Sequence, residues 1–180
     1  MRQILAVVAC AVLVSTPAWA ETFTLSPPGA MSVDLDTRNG AYSFWRIEDA
    51  SSINTIRATL QIHRLGEDPR WAPAFTVSCI GGADRIAFRI KSLDRKPPLT
   101  MHLEYMKDGK VVEEQDYLAT IGLDEKIELT VTWTVDGAVS VRVGDEKRTI
   151  TLGAPIRSVE IDGSTGEIEL NPLAIGTTVP

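Results

Sequence analysis

The stretch IELTVTWTVDGAVSVRV, running from Ile127 to Val143, decides the fold. Ile127, Leu129, Val131 and Trp133 alternate with Glu128, Thr130, Thr132 and Thr134. Beyond Asp136-Gly137, Val139, Val141 and Val143 alternate with Ala138, Ser140 and Arg142. Successive side chains of a strand point to opposite faces, so each half carries one apolar face. Asp-Gly between two such runs signals a hairpin. The alternation also selects the register. A tight turn on Asp136-Gly137 alone sets Trp133 opposite Ser140 and Val131 opposite Arg142, which mixes apolar with polar on a half-buried face. A loop of Val135-Asp136-Gly137 sets Trp133 opposite Val139, Val131 opposite Val141, Leu129 opposite Val143 and Thr132 opposite Ser140. One face is then wholly apolar. The sequence therefore predicts a type I turn with a G1 bulge, Gly137 at positive φ and Trp133 in the core.

Outward from this hairpin, short strand patterns recur. Toward the N-terminus they are Thr22–Leu25, Met31–Asp36, Tyr42–Ile47, Ser51–Leu65, Phe75–Ile80, Arg85–Ile90, Thr100–Met106 and Val111–Tyr117. Toward the C-terminus they are Thr149–Leu152, Ser158–Ile161 and Glu167–Leu170. Arg38-Asn39-Gly40, Gly81-Gly82-Ala83-Asp84, Lys107-Asp108-Gly109-Lys110 and Asp162-Gly163-Ser164-Thr165-Gly166 read as turns between them. Around Asp108-Gly109 both short loop lengths leave mixed pairs, so that register stays open. In Tyr42–Ile47 both faces carry aromatics, and its orientation stays open too. Apolar residues nowhere recur at helical spacing. Many short strands at regular spacing predict an all-β, antiparallel two-sheet sandwich.

Arg2, the apolar run Ile4–Val14 and Ala18-Trp19-Ala20 form the pattern of a secretory signal peptide of bacterial type. The apolar run is too short for a membrane span. The expected organisation is a signal over 1–20, then one β-sandwich domain over 21–180, in the periplasm or the medium. Without the signal the charge is 17 basic against 24 acidic residues, or −7. Such a chain is a poor partner for nucleic acid or anionic membranes. Cys79 is then the sole cysteine, so no intramolecular disulfide forms. It shares the apolar parity of Phe75 and Val77 and reads as a buried thiol.

From the hairpin through Arg148–Leu152 and Ser158–Ile161 to Gly166-Glu167-Ile168-Glu169-Leu170-Asn171-Pro172-Leu173, the pattern resembles the end of a concanavalin A-like jelly roll of the laminin-G-like type. The likeness extends over Tyr42 to Ile175 as a pattern. It implies a concanavalin-like jelly roll with one concave sheet, in a superfamily of lectins, carbohydrate-binding modules, glucanases and adhesive domains. The glucanase branch carries E-x-D-x-x-E on one strand. Here Glu160 and Asp162 match, Thr165 stands at the third acid, and Gly163 breaks the run. Glu160 and Asp162 therefore read as solvated acids at a strand end, and Glu167 and Glu169 as water-facing.

Other chemistry is sparse. His63 and His102 lie on different strands without zinc-ligand spacing, and no nucleotide-binding loop occurs. No cofactor is expected. Asp34/Asp36, Asp124/Glu125 and Asp145/Glu146 offer oxygens for a structural Ca²⁺ of the kind that lectin relatives carry, without EF-hand spacing. Trp71, beside Arg70 in a proline-bracketed loop, is the residue best suited to stack on a sugar. The expected function is non-enzymatic binding of a carbohydrate or cell-envelope glycan through Trp71, Arg70, His63, Thr132 and Ser140. The alternatives are an assembly domain whose partner is another envelope protein, and a glycan hydrolase or lyase with a non-standard site.

Overall fold

The computed structural model describes residues 22–25 and 30–179, apart from 69, 71 and 93. The signal pattern over residues 1–20 and Trp71 therefore lie outside the described residues. Among the described residues eleven strands follow one another: β1 Thr22–Leu25, β2 Met31–Ile47, β3 Thr55–Leu65, β4 Ala74–Gly81, β5 Asp84–Lys91, β6 Leu99–Lys107, β7 Lys110–Ile121, β8 Lys126–Trp133, β9 Ala138–Val143, β10 Glu146–Thr151 and β11 Ser158–Val179. Among the described residues no helix is long and apolar enough to cross a membrane.

The strands form two layers joined through β11. The front layer runs β7-β6-β5-β4, then Ser158–Ser164 of β11, then Tyr42–Ile47 of β2. The back layer runs β10-β9-β8-β3, then Gly166–Gly176 of β11, then the first half of β2. β1 pairs with the last residues of β11. The inward faces of both layers merge into one core. Val77, Phe88, Leu103 and Ile161 enter it from the front, and Ile56, Leu60, Val131 and Val141 from the back. Tyr117 of β7 ties the layers together. Its ring meets Phe88 edge-on at 5.7 Å, and its hydroxyl donates to the Val141 carbonyl at 2.9 Å.

The Ile127–Val143 hairpin has the predicted register, with Trp133 opposite Val139, Val131 opposite Val141, Leu129 opposite Val143 and Thr132 opposite Ser140. Gly137 has φ +83° and donates to the Thr134 carbonyl at 3.0 Å, and Trp133 is buried. A second constraint acts on Gly137: a Cβ there would collide with the Ala154 carbonyl oxygen.

Two expected turns are bends inside longer strands. Met31–Asp36 and Tyr42–Ile47 belong to the single strand β2, which bends at Gly40 (φ +72°). Ser158–Ile161 and Glu167–Leu170 belong to the single strand β11, which bends at Thr165 (φ +52°). The residues that looked like chain reversals instead carry the chain from one layer to the other. The bends lie side by side, and the Gly40 N–H donates to Thr165 Oγ1 at 3.3 Å. The other open register is explained by a bulge. Lys107 pairs with Lys110 across Asp108-Gly109, but the pairing shifts between Met106↔Val111 and Tyr105↔Glu113. No single register could have fitted the whole hairpin.

Candidate functional site

The outer face of the front layer holds an unusual set of side chains. Alternation sends Ile86, Phe88 and Ile90 of β5 into the core and turns Arg85, Ala87, Arg89 and Lys91 outward. By the same alternation β4 turns out Thr76 and Ser78, β6 turns out His102 and Glu104, β11 turns out Glu160, Asp162 and Ser164, and β2 turns out Tyr42, Phe44 and Arg46. Yet Thr76, Ser78, Glu104, Glu160, Asp162 and Ser164 are all buried. Polar groups buried on an outward face mean that the face is hollowed and walled by its neighbours. The hollow measures about 400 Å³, with Tyr42, Ala74, Thr76, Arg85, Arg89 and Asp162 in its lining.

Glu160 and Asp162 of this face were expected in water at a strand end. That expectation fails, because β11 runs straight through Gly163 and both acids sit mid-strand. Glu160 is 5% exposed; its Oε1 accepts from the Tyr42 hydroxyl at 2.8 Å, and its Oε2 from Arg46 Nε at 2.8 Å and from Arg46 Nη2. Asp162 is 8% exposed, and burial raises its pKa to about 6 although a hydrogen bond from Thr76 opposes the shift. Burial, then the bond to Glu160, holds the Tyr42 phenol well above its ordinary range. Glu104 is 1% exposed and is flanked by two cations, Lys91 Nζ 3.2 Å from Oε1 and Arg89 Nη1 3.2 Å from Oε2. Buried carboxylates require such pairing. The Arg89 contact is an ion pair without hydrogen-bond alignment, so Glu104 Oε2 accepts no hydrogen bond, and neither does Ser78 Oγ beneath the same face.

An aromatic pair borders the hollow. Tyr42 is 48% and Phe44 57% exposed, their ring centroids lie 5.9 Å apart, and the Arg46 guanidinium stands 5.6 Å from the Phe44 ring centre. Sequence reasoning missed this pair because Tyr42, Phe44 and Trp45 occupy both parities of one strand. The available signal was Ile47, which shares the parity of Trp45; both are partly buried against the core.

Of the residues proposed from sequence, Thr132, Ser140 and His63 lie on the other layer. Thr132 and Ser140 are cross-strand neighbours on the outer face of the back layer; Thr132 Oγ1 donates to the Ser140 carbonyl at 3.5 Å, and Ser140 Oγ lies 2.7 Å from Thr149 Oγ1. His63 is on that face too, its Nδ1 2.8 Å from Asp124 and its Nε2 3.4 Å from Glu169. The bond to Asp124 is the largest cause of its raised pKa. His63 stands eight residues along β3 from Thr55, the partner of Thr132, and so roughly 27 Å from that pair. Arg70 is exposed in its loop, its N–H donating to Asp68 Oδ1 at 2.8 Å. The structure joins Thr132 to Ser140 and gathers neither with His63 or Arg70.

Metal-ligating groups converge at one place among the described residues. His102, Glu114 and Asp116 bring ligand atoms within 4.8 Å of one another, because β6 pairs with β7. Sequence spacing could not show this. The Glu114 oxygen involved already meets Lys91 Nζ at 3.3 Å and His102 Nδ1 at 2.9 Å, so a protein cation occupies the position a metal would compete for. In each of the acidic pairs considered for calcium at least one member is engaged: Asp36 with Arg64 at 2.8 Å, Asp124 with His63 at 2.8 Å and Glu125 with the Gly122 N–H at 2.8 Å, and Glu146 with Arg148 at 2.8 Å. Cys79 is fully enclosed, and burial pushes its thiol up to about 12, which removes it as a nucleophile near neutrality.

A larger hollow of about 580 Å³ opens at the end of the sandwich beside Ile53, Trp133, Val135 and Ile156. No charged side chain lines it, and its one carboxamide, Asn54, is engaged by Thr55 and Thr178. A specific site needs convergent polar groups as well as apolar area. The polar groups of this end hollow, Ser51, Ser52, Asn54, Thr134 and Thr177, are all uncharged, whereas the front hollow adds Arg85, Arg89, Lys91 and Asp162.

No protein-family model matches the chain, and no curated protein matches its sequence. Solved structures do match its fold. CG-16, a homodimeric agglutinin from chicken liver, superposes with a TM-score of 0.54 at 14% identity, over 74% of this chain and 100% of that one. The galectin LEC-6 of Caenorhabditis elegans gives 0.54 at 11%, over 79% and 95%. The β-glucanase of Bacillus licheniformis gives 0.50 at 11%, over 86% and 81%. The fold is the concanavalin A-like jelly-roll sandwich.

Proposed function

We propose that this chain is an exported glycan-binding protein whose binding surface is the outer face of the front layer. The exposed Tyr42–Phe44 pair beside a polar hollow carries this reading. Aromatic faces stack on the apolar faces of sugar rings, and fixed polar groups below them read the hydroxyls. Thr76, Asp162 and the Arg89 guanidinium are placed for the second task. The agglutinin, galectin and β-glucanase folds support the reading, as does the export pattern of residues 1–20. Both aromatics are half-exposed, so truncating them leaves the fold intact. On a glycan array followed by calorimetry, Tyr42→Ala and Phe44→Ala are each expected to weaken binding about tenfold or more. Wild-type affinity in both variants, or no glycan bound by the wild type, overturns the reading.

One observation supports a hydrolytic variant of this function. Glu160 and Asp162 project from one strand two residues apart, a Cα spacing of about 7 Å, and Asp162 holds its proton up to about pH 6. In that variant Asp162 is the acid and Glu160, oriented by Tyr42 and Arg46, the partner carboxylate. Reducing ends released from a bound glycan and lost in Asp162→Asn would establish it. Binding without release leaves the chain a binding protein.

A further inference from the structure

We propose that the front hollow takes an anionic glycan, one bearing carboxylate or sulfate groups, and that Arg85 is the residue that meets the anion. This deepens the glycan-binding reading and rests on it. The chain is acidic overall, with 24 Asp and Glu against 18 Lys and Arg, yet four of its cations, Arg46, Arg85, Arg89 and Lys91, face this one surface. Three of them are matched. Arg46 pairs with Glu160, and Arg89 and Lys91 share Glu104.

Arg85 is not matched. It is half-buried, and among the described residues no carboxylate lies within ion-pairing distance of it. Its Nε points at Met106 Sδ, 3.2 Å away, and thioether sulfur is a weak acceptor. Its charge acts on both Tyr42 and Asp162, so it faces the same hollow that they line. Asp162, the carboxylate its charge acts on, makes no ion pair with it, so its terminal N–H donors are left for a ligand. Carboxylate or sulfate oxygens suit them, because the planar fork binds such groups through two parallel N–H donors. β5 places the small Ala87 between Arg85 and Arg89, which leaves room beside the guanidinium. Tyr42 then offers a ring face to the sugar while Arg85 takes its acidic substituent.

The test is calorimetry on the full chain with polygalacturonate as the carboxylated probe, dextran sulfate as the sulfated one, and dextran and laminarin as uncharged ones. At least one anionic polymer should bind about tenfold or more tightly than either uncharged polymer, and salt of about 0.5 M should weaken it. Arg85→Gln should remove that preference and Arg85→Lys keep part of it. Arg142→Gln, on the exposed outer face of β9, should leave binding as it was. Polygalacturonate alone binding assigns a uronate, and dextran sulfate alone a sulfate ester. Equal affinity for charged and uncharged polymers, or an unchanged preference in both Arg85 variants, overturns the anionic assignment while glycan binding stands. If no polymer and no array glycan binds, glycan binding itself falls. Circular dichroism checks the fold of each variant, and Arg85→Lys, which keeps the charge and the stem, decides the matter if Arg85→Gln does not fold.

Discussion

On the outer face of the back layer, Thr55, Thr132, Ser140 and Thr149 stand in register across four strands, and the last three bond to one another. On the outer face of the front layer, Glu104, Glu160 and Asp162 lie buried among arginines, a lysine and a tyrosine. Both faces come from the same alternation of apolar and polar residues. They differ in what the polar residues are and in how much water reaches them. Hydroxyls along a strand satisfy each other and their neighbours' carbonyls, and need nothing more. Acids and cations sunk into a hollow are costly to place there, and a sheet needs no such groups to be stable. The expense supports the proposal that the front face is the working one.

Experiments can sharpen this contrast or break it. The largest effect should come from the inner side of the back layer. Trp133→Ala should cost about 3–5 kcal/mol in urea unfolding, because it empties a filled part of the core. Gly137→Val should cost a few kcal/mol, about 2–4, through its positive φ and the collision with Ala154. A loss below about 1 kcal/mol in both would mean that the back layer is not the scaffold described.

The next effect belongs to the front floor and depends on pH. The Asp162 pKa of about 6 in the folded chain lies above the ordinary value of 3.8, so folding favours the protonated acid. That contribution is complete below about pH 4 and is lost as pH rises through 6. Asp162→Asn cannot ionise and escapes the loss. Its melting temperature should match the wild type near pH 4 and exceed it above pH 6, by the equivalent of about 1–2 kcal/mol. A variant less stable than wild type at pH 7 would show that the charged form of Asp162 is well accommodated. The smallest effect should be Thr132→Ala with Ser140→Ala, within about 1 kcal/mol of wild type in stability and unchanged in glycan binding. Lost binding would move the site to the back face and dissolve the contrast.

Much of the fold was legible because the signals were local. Alternation and the loop chemistry of Val135-Asp136-Gly137 fixed a hairpin register without reference to the rest of the chain. The bends at Gly40 and Thr165 were not legible. A residue at positive φ serves a reversal or a change of sheet equally well, and only its distant neighbours decide which. The site was less legible still. Gly163 looked like a strand breaker, so Glu160 and Asp162 looked solvated. Their burial depends on Tyr42, Arg46 and Thr76, which are remote in sequence. His102 acquired Glu114 and Asp116 as neighbours only through strand pairing. Tyr42 and Phe44 were hidden in a strand whose two faces looked alike.

β11 follows the other ten strands in the chain, and it forms the seam of both layers. While the protein is being made, β3 and β4 each have one neighbour and one open edge until β11 arrives. Open edges invite pairing with other chains, and contacts this distant in sequence form late. Glu160 and Asp162 arrive on the same strand. Before β11 is added, β3 and β4 each keep an open edge, β1 and β2 lack a partner, and the front face is incomplete. β11 closes both sheets and completes the front face in a single event.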